Sequence, residues 1–98
     1  MHIEQYPYLR TLLGGYFHQD CFDDGETKAD IIESFKQTTH AYDRMGTRAD
    51  IQRFLHHHEF ELLAAVNQAF EPDITLGNTN EEVRGWLEEV DRMLGEAI

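Results

Sequence analysis

Apolar positions in the 98-residue chain recur almost throughout at the three-and-four spacing of an α-helix, and no segment shows the alternation of a strand. Tyr6-Pro7 opens a short first helix carrying Tyr8, Leu9, Leu12 and Leu13, because proline loses nothing in a first turn whose N–H has no partner. Gly14-Gly15 is expected to stop it, since glycine takes the left-handed cap conformation without penalty. Residues 16–22 show no usable period, and Asp23-Asp24-Gly25 reads as a turn.

Thr27 with Asp30 three residues on predicts a capping box. The helix it opens is expected to run to about Tyr42, with Ile31, Ile32, Phe35, Thr39 and Tyr42 on one face. Gly46-Thr47 repeats the device, with Thr47 as cap and Asp50 three on. Ile51, Phe54, Leu55 and His58 follow as a stripe that continues in phase through Leu62, Val66 and Ala69. Residues 48–70 read either as one long helix or as two, and three adjacent histidines, mediocre helix formers, favour a break near His56–Glu59. Glu71-Pro72-Asp73 ends that region, and 74–78 is a loop. Thr79 with Glu82, or Asn80 as the cap, starts a last helix whose apolar face is Val83, Trp86, Leu87, Val90, Met93, Leu94 and Ala97. Gly85 inside it costs about 1 kcal/mol relative to alanine and suggests close approach of another backbone. The expected fold is all-α, a single domain over residues 1–98 built as one compact bundle of four to five helices.

Charge narrows the function classes. Eight Lys+Arg stand against 19 Asp+Glu, a net charge of −11. Phosphate binding needs cations that displace counterions, so direct nucleic-acid binding is not expected, nor is adhesion to an anionic membrane. The acid is blocked: residues 18–33 carry six acids against Lys28, and residues 71–98 carry eight against Arg84 and Arg92, while the middle is neutral. In the last helix, Arg84, Glu88 and Arg92 at spacings of four are expected to pair along a solvated face. The crowd of Asp20, Asp23, Asp24 and Glu26, with Asp30 beyond, has one basic neighbour. A basic partner would relieve its self-repulsion and be steered in by it. The candidate partner-binding residues are therefore Asp20, Asp23, Asp24, Glu26, Asp30, Glu71 and Asp73, with Phe22, Tyr42 and Phe70 as candidate aromatic anchors.

Chemistry-bearing residues are sparse. His57 and Glu61, four apart, could offer two ligands to a metal, with His56 and Glu59 alongside, but a catalytic zinc needs three. His58 falls in the apolar stripe and reads as partly buried core. His18 and Asp20, with His40, could form an acid/base pair, yet no nucleophile accompanies them. Cys21, the one cysteine, sits among acids that raise its pKa, and Gly14-Gly15 lacks the lysine of a phosphate loop. Trp86 reads as core. No catalytic residue, metal or cofactor is assigned. The lone cysteine, with no signal-peptide pattern in MHIEQYPYLR and no long apolar run, points to a cytoplasmic protein.

The segment Leu12-Leu13-Gly14-Gly15-Tyr16-Phe17-His18-Gln19-Asp20 resembles a family of small acidic immunity proteins of bacterial contact-dependent growth inhibition systems. Asp23-Asp24-Gly25-Glu26, Ile31-Ile32-Phe35 and Trp86-Leu87 extend the likeness over about residues 6–95. The chain departs from the pattern at Cys21, where a tryptophan is expected, and in its His56–His58 run. The resemblance implies stoichiometric binding, without turnover, to the toxic C-terminal domain of a large effector, many such toxins being nucleases with basic clefts. The expected form is a monomer or weak dimer that makes a 1:1 complex with its toxin. An acidic helical adaptor for a basic non-toxin partner is the alternative that charge alone allows.

Overall fold

The computed structural model describes residues 5–18, 22 and 25–96. The elements are α1 (Pro7–Thr11), a π-helical turn over Leu12–Tyr16, α2 (Lys28–Thr38), α3 (Ala41–His57), α4 (Leu62–Phe70) and α5 (Asn80–Gly95). They form one all-α bundle, with no strand among the described residues. No described helix is long and apolar enough to cross a membrane.

α3 and α5 form the central pair. They run antiparallel, since Arg48 meets Asp91 at 2.8 Å while the Arg84 guanidinium donates to the Glu59 carbonyl at 3.2 Å. One face of each is buried: Ile51 and Phe54 on α3, Val83, Leu87, Val90 and Leu94 on α5. Leu9, Leu12, Leu13, Ile32, Phe35, Leu62 and Val66 complete the same core. At one end of it Tyr6, Phe54 and Phe70 pack edge-on or tilted, with ring centres 5.3–6.2 Å apart.

α1 carries no cap of its own, because the side chain of Tyr6, the residue before Pro7, makes no capping hydrogen bond to the helix. Its cap comes from α3. The buried Asp50 carboxylate accepts from the Tyr8 and Leu9 N–H groups at 2.9 and 3.2 Å. Arg53 closes on the other carboxylate oxygen and donates to the Gln5 carbonyl. The helix does not stop at Gly14-Gly15 as expected. It widens into a π turn through both glycines, with the Phe17 N–H bonded to the Leu12 carbonyl at 3.2 Å. Neither glycine takes a positive φ, so the poor helix propensity of the pair loosens the turn without ending it. The turn delivers Phe17 to the core and sets the Tyr16 ring 4.9 Å from Phe35.

The turn before α2 is present, with the Gly25 N–H bonded to the Phe22 carbonyl and Gly25 at φ +79°. The Thr27 hydroxyl then accepts from the Asp30 N–H and the Asp30 carboxylate accepts from the Thr27 N–H, the expected capping box. α2 ends at Thr38, four residues before the expected Tyr42. The Thr38 and Thr39 hydroxyls bond back to the Ser34 and Phe35 carbonyls, and Arg44 donates to the Lys36 and Thr39 carbonyls. The backbone is extended at Thr39 and His40, and Asp43 accepts the His40 N–H to open α3. Thr47 is therefore no cap. It lies buried inside α3 with its hydroxyl on the Asp43 carbonyl at 2.8 Å.

The expected break after the histidines is present, with α3 ending at His57 and a turn over 58–60. Asn80 serves α4 as Asp50 serves α1. Its amide oxygen accepts the Leu63 N–H at 2.9 Å and its amide nitrogen donates to the Phe60 carbonyl. Thr79 is the cap of α5, accepting from the Glu82 N–H at 3.1 Å. Gly85 faces open space, so no backbone approaches it as expected. Ala97 lies outside the described residues.

Two outcomes follow. Asp50→Ala leaves two buried N–H groups and a guanidinium without their acceptor, and should lower stability by about 2–4 kcal/mol in urea unfolding. The Asp30 carboxyl is held below its ordinary value of 3.8 by its bonds to Thr27. A depressed carboxyl stabilises fully above the unfolded value and loses that contribution as pH falls through the folded one. Asp30→Ala should thus be less stable than the parent at neutral pH, with the gap closing in strong acid.

Candidate partner-binding surface

The eight cations all have internal work. Lys36 is buried and donates to the Met93 carbonyl at 3.0 Å; Lys28 donates to the Trp86 carbonyl, lies 4.3 Å from the Trp86 ring centre and reaches Glu89 at 3.5 Å. Burial lowers the Lys28 pKa below its ordinary value, with Glu89 opposing. Arg44 and Arg84 bond helix-end carbonyls, and Arg10 bonds the Ala69 carbonyl. Arg48, Arg53 and Arg92 pair with Asp91, Asp50 and Glu96. The expected Arg84–Glu88–Arg92 ladder on α5 is absent, because both arginines have these other partners.

The acids divide differently. Asp43, Asp50 and Glu82 bind backbone N–H groups, and Glu33, Glu89, Asp91 and Glu96 face cations. Glu26, Glu59, Glu71, Asp73, Glu81 and Glu88 are exposed, and their carboxylates bond no described residue. Of the expected contact residues, Asp20, Asp23 and Asp24 lie outside the described residues, as does Cys21. Asp30 is exposed but engaged in the α2 capping box. Glu26 stands before α2, whereas Glu71 and Asp73 follow α4, so the two groups belong to different elements.

Glu71 has an unusual backbone. It is the one described non-glycine residue with positive φ, at +44°, and it closes α4 in the left-handed conformation with its N–H on the Asn67 carbonyl. Beside it, residues 72–78 and α4 border an open cavity of about 360 Å³.

The anchor candidates separate by exposure. Phe70 is 8 % exposed and belongs to the core, a correction to its expected role, whereas Phe22 is 43 % and Tyr42 74 % exposed. Tyr42 leaves the expected face because it sits on α3, not on α2. Met45 at 69 % and Phe60 at 86 % are exposed apolar residues that the sequence reading missed. For Met45 the signal was there: it lies three residues from Tyr42, opposite the Ile51–Phe54 stripe. Trp86 is half-buried at the core edge, 5.0 Å from the Phe17 ring.

His57 and His58 serve structure. The His57 ring nitrogen Nδ1 lies 2.8 Å from the Tyr6 hydroxyl, and the turn at 58–60 separates His57 from Glu61, so the two share no helix face. His58 is partly buried as expected, its ring 4.8 Å from Phe54 and Nδ1 3.7 Å from Glu61. Among the described residues no three His, Cys, Asp or Glu side chains are grouped to hold a metal. His18 is exposed, and its expected partner Asp20 lies outside the described residues.

Glycine tolerates the left-handed conformation, which costs an ordinary residue roughly 1 kcal/mol or more. Glu71→Gly should raise the midpoint of thermal unfolding, and an unchanged or lower midpoint would show that the Glu71 backbone is unstrained.

Residues 5–94 match the model of a protein family described as CdiI immunity protein. No curated protein and no solved structure matches the chain.

Proposed function

The chain belongs to the CdiI immunity protein family, and we propose that it neutralises a basic toxin domain, a nuclease, by stoichiometric 1:1 binding in the cytoplasm through its acidic surface. The observation that carries this reading is the asymmetry of charge engagement. Every cation is tied to a carbonyl, a ring or a carboxylate of the chain itself, while six described carboxylates face solvent with no partner. The outward field is thus negative, as the net charge of −11 requires, with unpaired carboxylates and no unpaired cation at its source.

Such a field accelerates encounter with a basic domain and weakens with salt, because exposed charges are screened over about 8–10 Å at physiological ionic strength. Asp20, Asp23, Asp24, Glu26 and Asp30, together with Glu71 and Asp73, are the residues assigned to this approach. Binding is the whole mechanism. A nuclease cleft holds phosphates by cations, and carboxylates presented to the same cations compete for them.

The test is co-expression with the cognate toxin domain, scored for survival and co-purification. Survival only with this protein present, and a 1:1 complex, support the reading; lethality despite co-expression overturns it. Within that complex, Asp23→Asn, Asp24→Asn and Glu26→Gln together should slow association several-fold at low salt, flatten its salt dependence and leave folding unchanged. Unchanged association kinetics would remove this segment from the approach surface.

A further inference from the structure

We infer that the outward ridge of α3, Tyr42–Met45–Ala49 with Tyr8 beside it, is the seat of an apolar helix of the toxin domain flanked by basic residues. The inference rests on the immunity reading and adds to it the surface that sets the lifetime of the complex.

α3 is apolar on two sides. One side, with Thr47, Ile51 and Phe54, is buried in the bundle. On the other, Tyr42, Met45 and Ala49 stand three and four residues apart and all are exposed, the spacing by which one helix receives another. Gln52 and His56 continue the same line, so none of its five positions carries a carboxylate. The ridge widens towards α1. Gly46 has no side chain, and the Tyr8 ring lies across it so closely that a Cβ there would meet the ring at 2.7 Å. Tyr8 in turn meets Tyr42 edge-on, ring centres 6.2 Å apart. Past Tyr8, Pro7, Phe35, Thr47 and Asp43 line a cavity of about 280 Å³, a receptacle for an anchoring side chain, with the Asp43 carboxylate engaged by the His40 N–H.

Charge decides the occupant. Two of the free carboxylates stand by this ridge, Glu59 just beyond its C-terminal end and Glu88 on α5, three residues from the Asp91 that Gln52 faces. The flanking cations Arg48 and Arg53 are each paired with a carboxylate, Asp91 and Asp50. An apolar centre with an acidic margin fits an apolar segment with a basic margin. A second copy, itself at −11, would bring like charge to that margin.

The test is calorimetry of the full chain with the purified toxin domain, alongside thermal unfolding and sedimentation of the free chain. Tyr42→Ala with Met45→Ala should weaken toxin binding by about 100-fold or more, chiefly through faster dissociation, and leave the thermal midpoint unchanged. Met45→Lys alone, placing a cation against the basic margin, should weaken it likewise, while Phe60→Ala should bind as the parent. Parental affinity in both ridge variants would overturn the docking surface and leave the immunity reading intact. A parental dimer abolished by the ridge variants, with toxin affinity unchanged, would make the ridge a self-contact and overturn the proposal. Failure of the parent itself to bind the toxin would overturn the immunity reading, and the proposal with it.

Discussion

Asp50 is the residue on which the arrangement of the helices depends. It is 3 % exposed, and a buried carboxylate is tolerable only when its oxygens are fully engaged. Here two N–H groups of α1 take one oxygen and the Arg53 guanidinium takes the other. The charge is thereby matched to the positive end of a short helix and to a cation that stays half in solvent. α1 has five residues, too few to be stable alone. Its position is set from α3, and with it the π turn that brings Phe17 to the core and Tyr16 to α2.

The same solution recurs through the bundle. Asn80 caps α4 from α5, Arg44 closes the end of α2 from α3, and Lys28 and Lys36 reach from α2 to carbonyls of α5. Helix ends that lack local caps are satisfied by side chains from neighbouring helices, and the cations do much of this work. The acidic exterior follows from that division: with all eight cations engaged by carbonyls, rings or carboxylates of the chain, six of the described carboxylates are left without a partner. Part of the surplus is absorbed locally, since Asp30, Asp43, Glu81 and Glu82 sit in first turns where the helix dipole favours them. Glu88 and Asp73 have no such compensation.

The sequence Thr-x-x-Asp occurs twice and shows what a linear reading can resolve. At Thr27–Asp30 it is a capping box, as it reads. At Thr47–Asp50 the same letters lie mid-helix, because Asp50 has its partners 41 and 42 residues away on α1. The α3 start is instead fixed by the polar groups of Thr38, Thr39, His40 and Asp43, and Thr39 falls in phase with the α2 stripe, so the period runs on through the true boundary. That one displaced boundary also hid the ridge: with Tyr42 assigned to the preceding helix, its pairing with Met45 could not be seen. The break after the histidines and the Thr79 start of α5 were legible because propensity and capping act locally there. The acid was legible as an excess, and the Thr27–Asp30 spacing already marked Asp30 as a cap. Nothing in the sequence, however, separated the unpaired Glu26, Glu71 and Asp73 from acids such as Glu82 or Asp91 that the fold engages.

In the proposed mode of binding, an acidic surface and a neutral apolar ridge answer different demands of one task. Long-range attraction raises the encounter rate but is shared by any basic protein, so it cannot by itself distinguish one toxin from another. Discrimination requires short-range fit, in which a misplaced side chain costs contacts and leaves polar groups unpaired. A helix whose inner face is fixed by Ile51 and Phe54 presents Tyr42 and Met45 with little backbone freedom, so ordering them on binding costs little. Methionine there also adapts to its neighbour's shape, as its unbranched thioether allows. The inner face of α3 is thus the part that Asp50 and the core hold, and in the proposed mode the outer face is the part that can be matched to a particular partner without disturbing the fold.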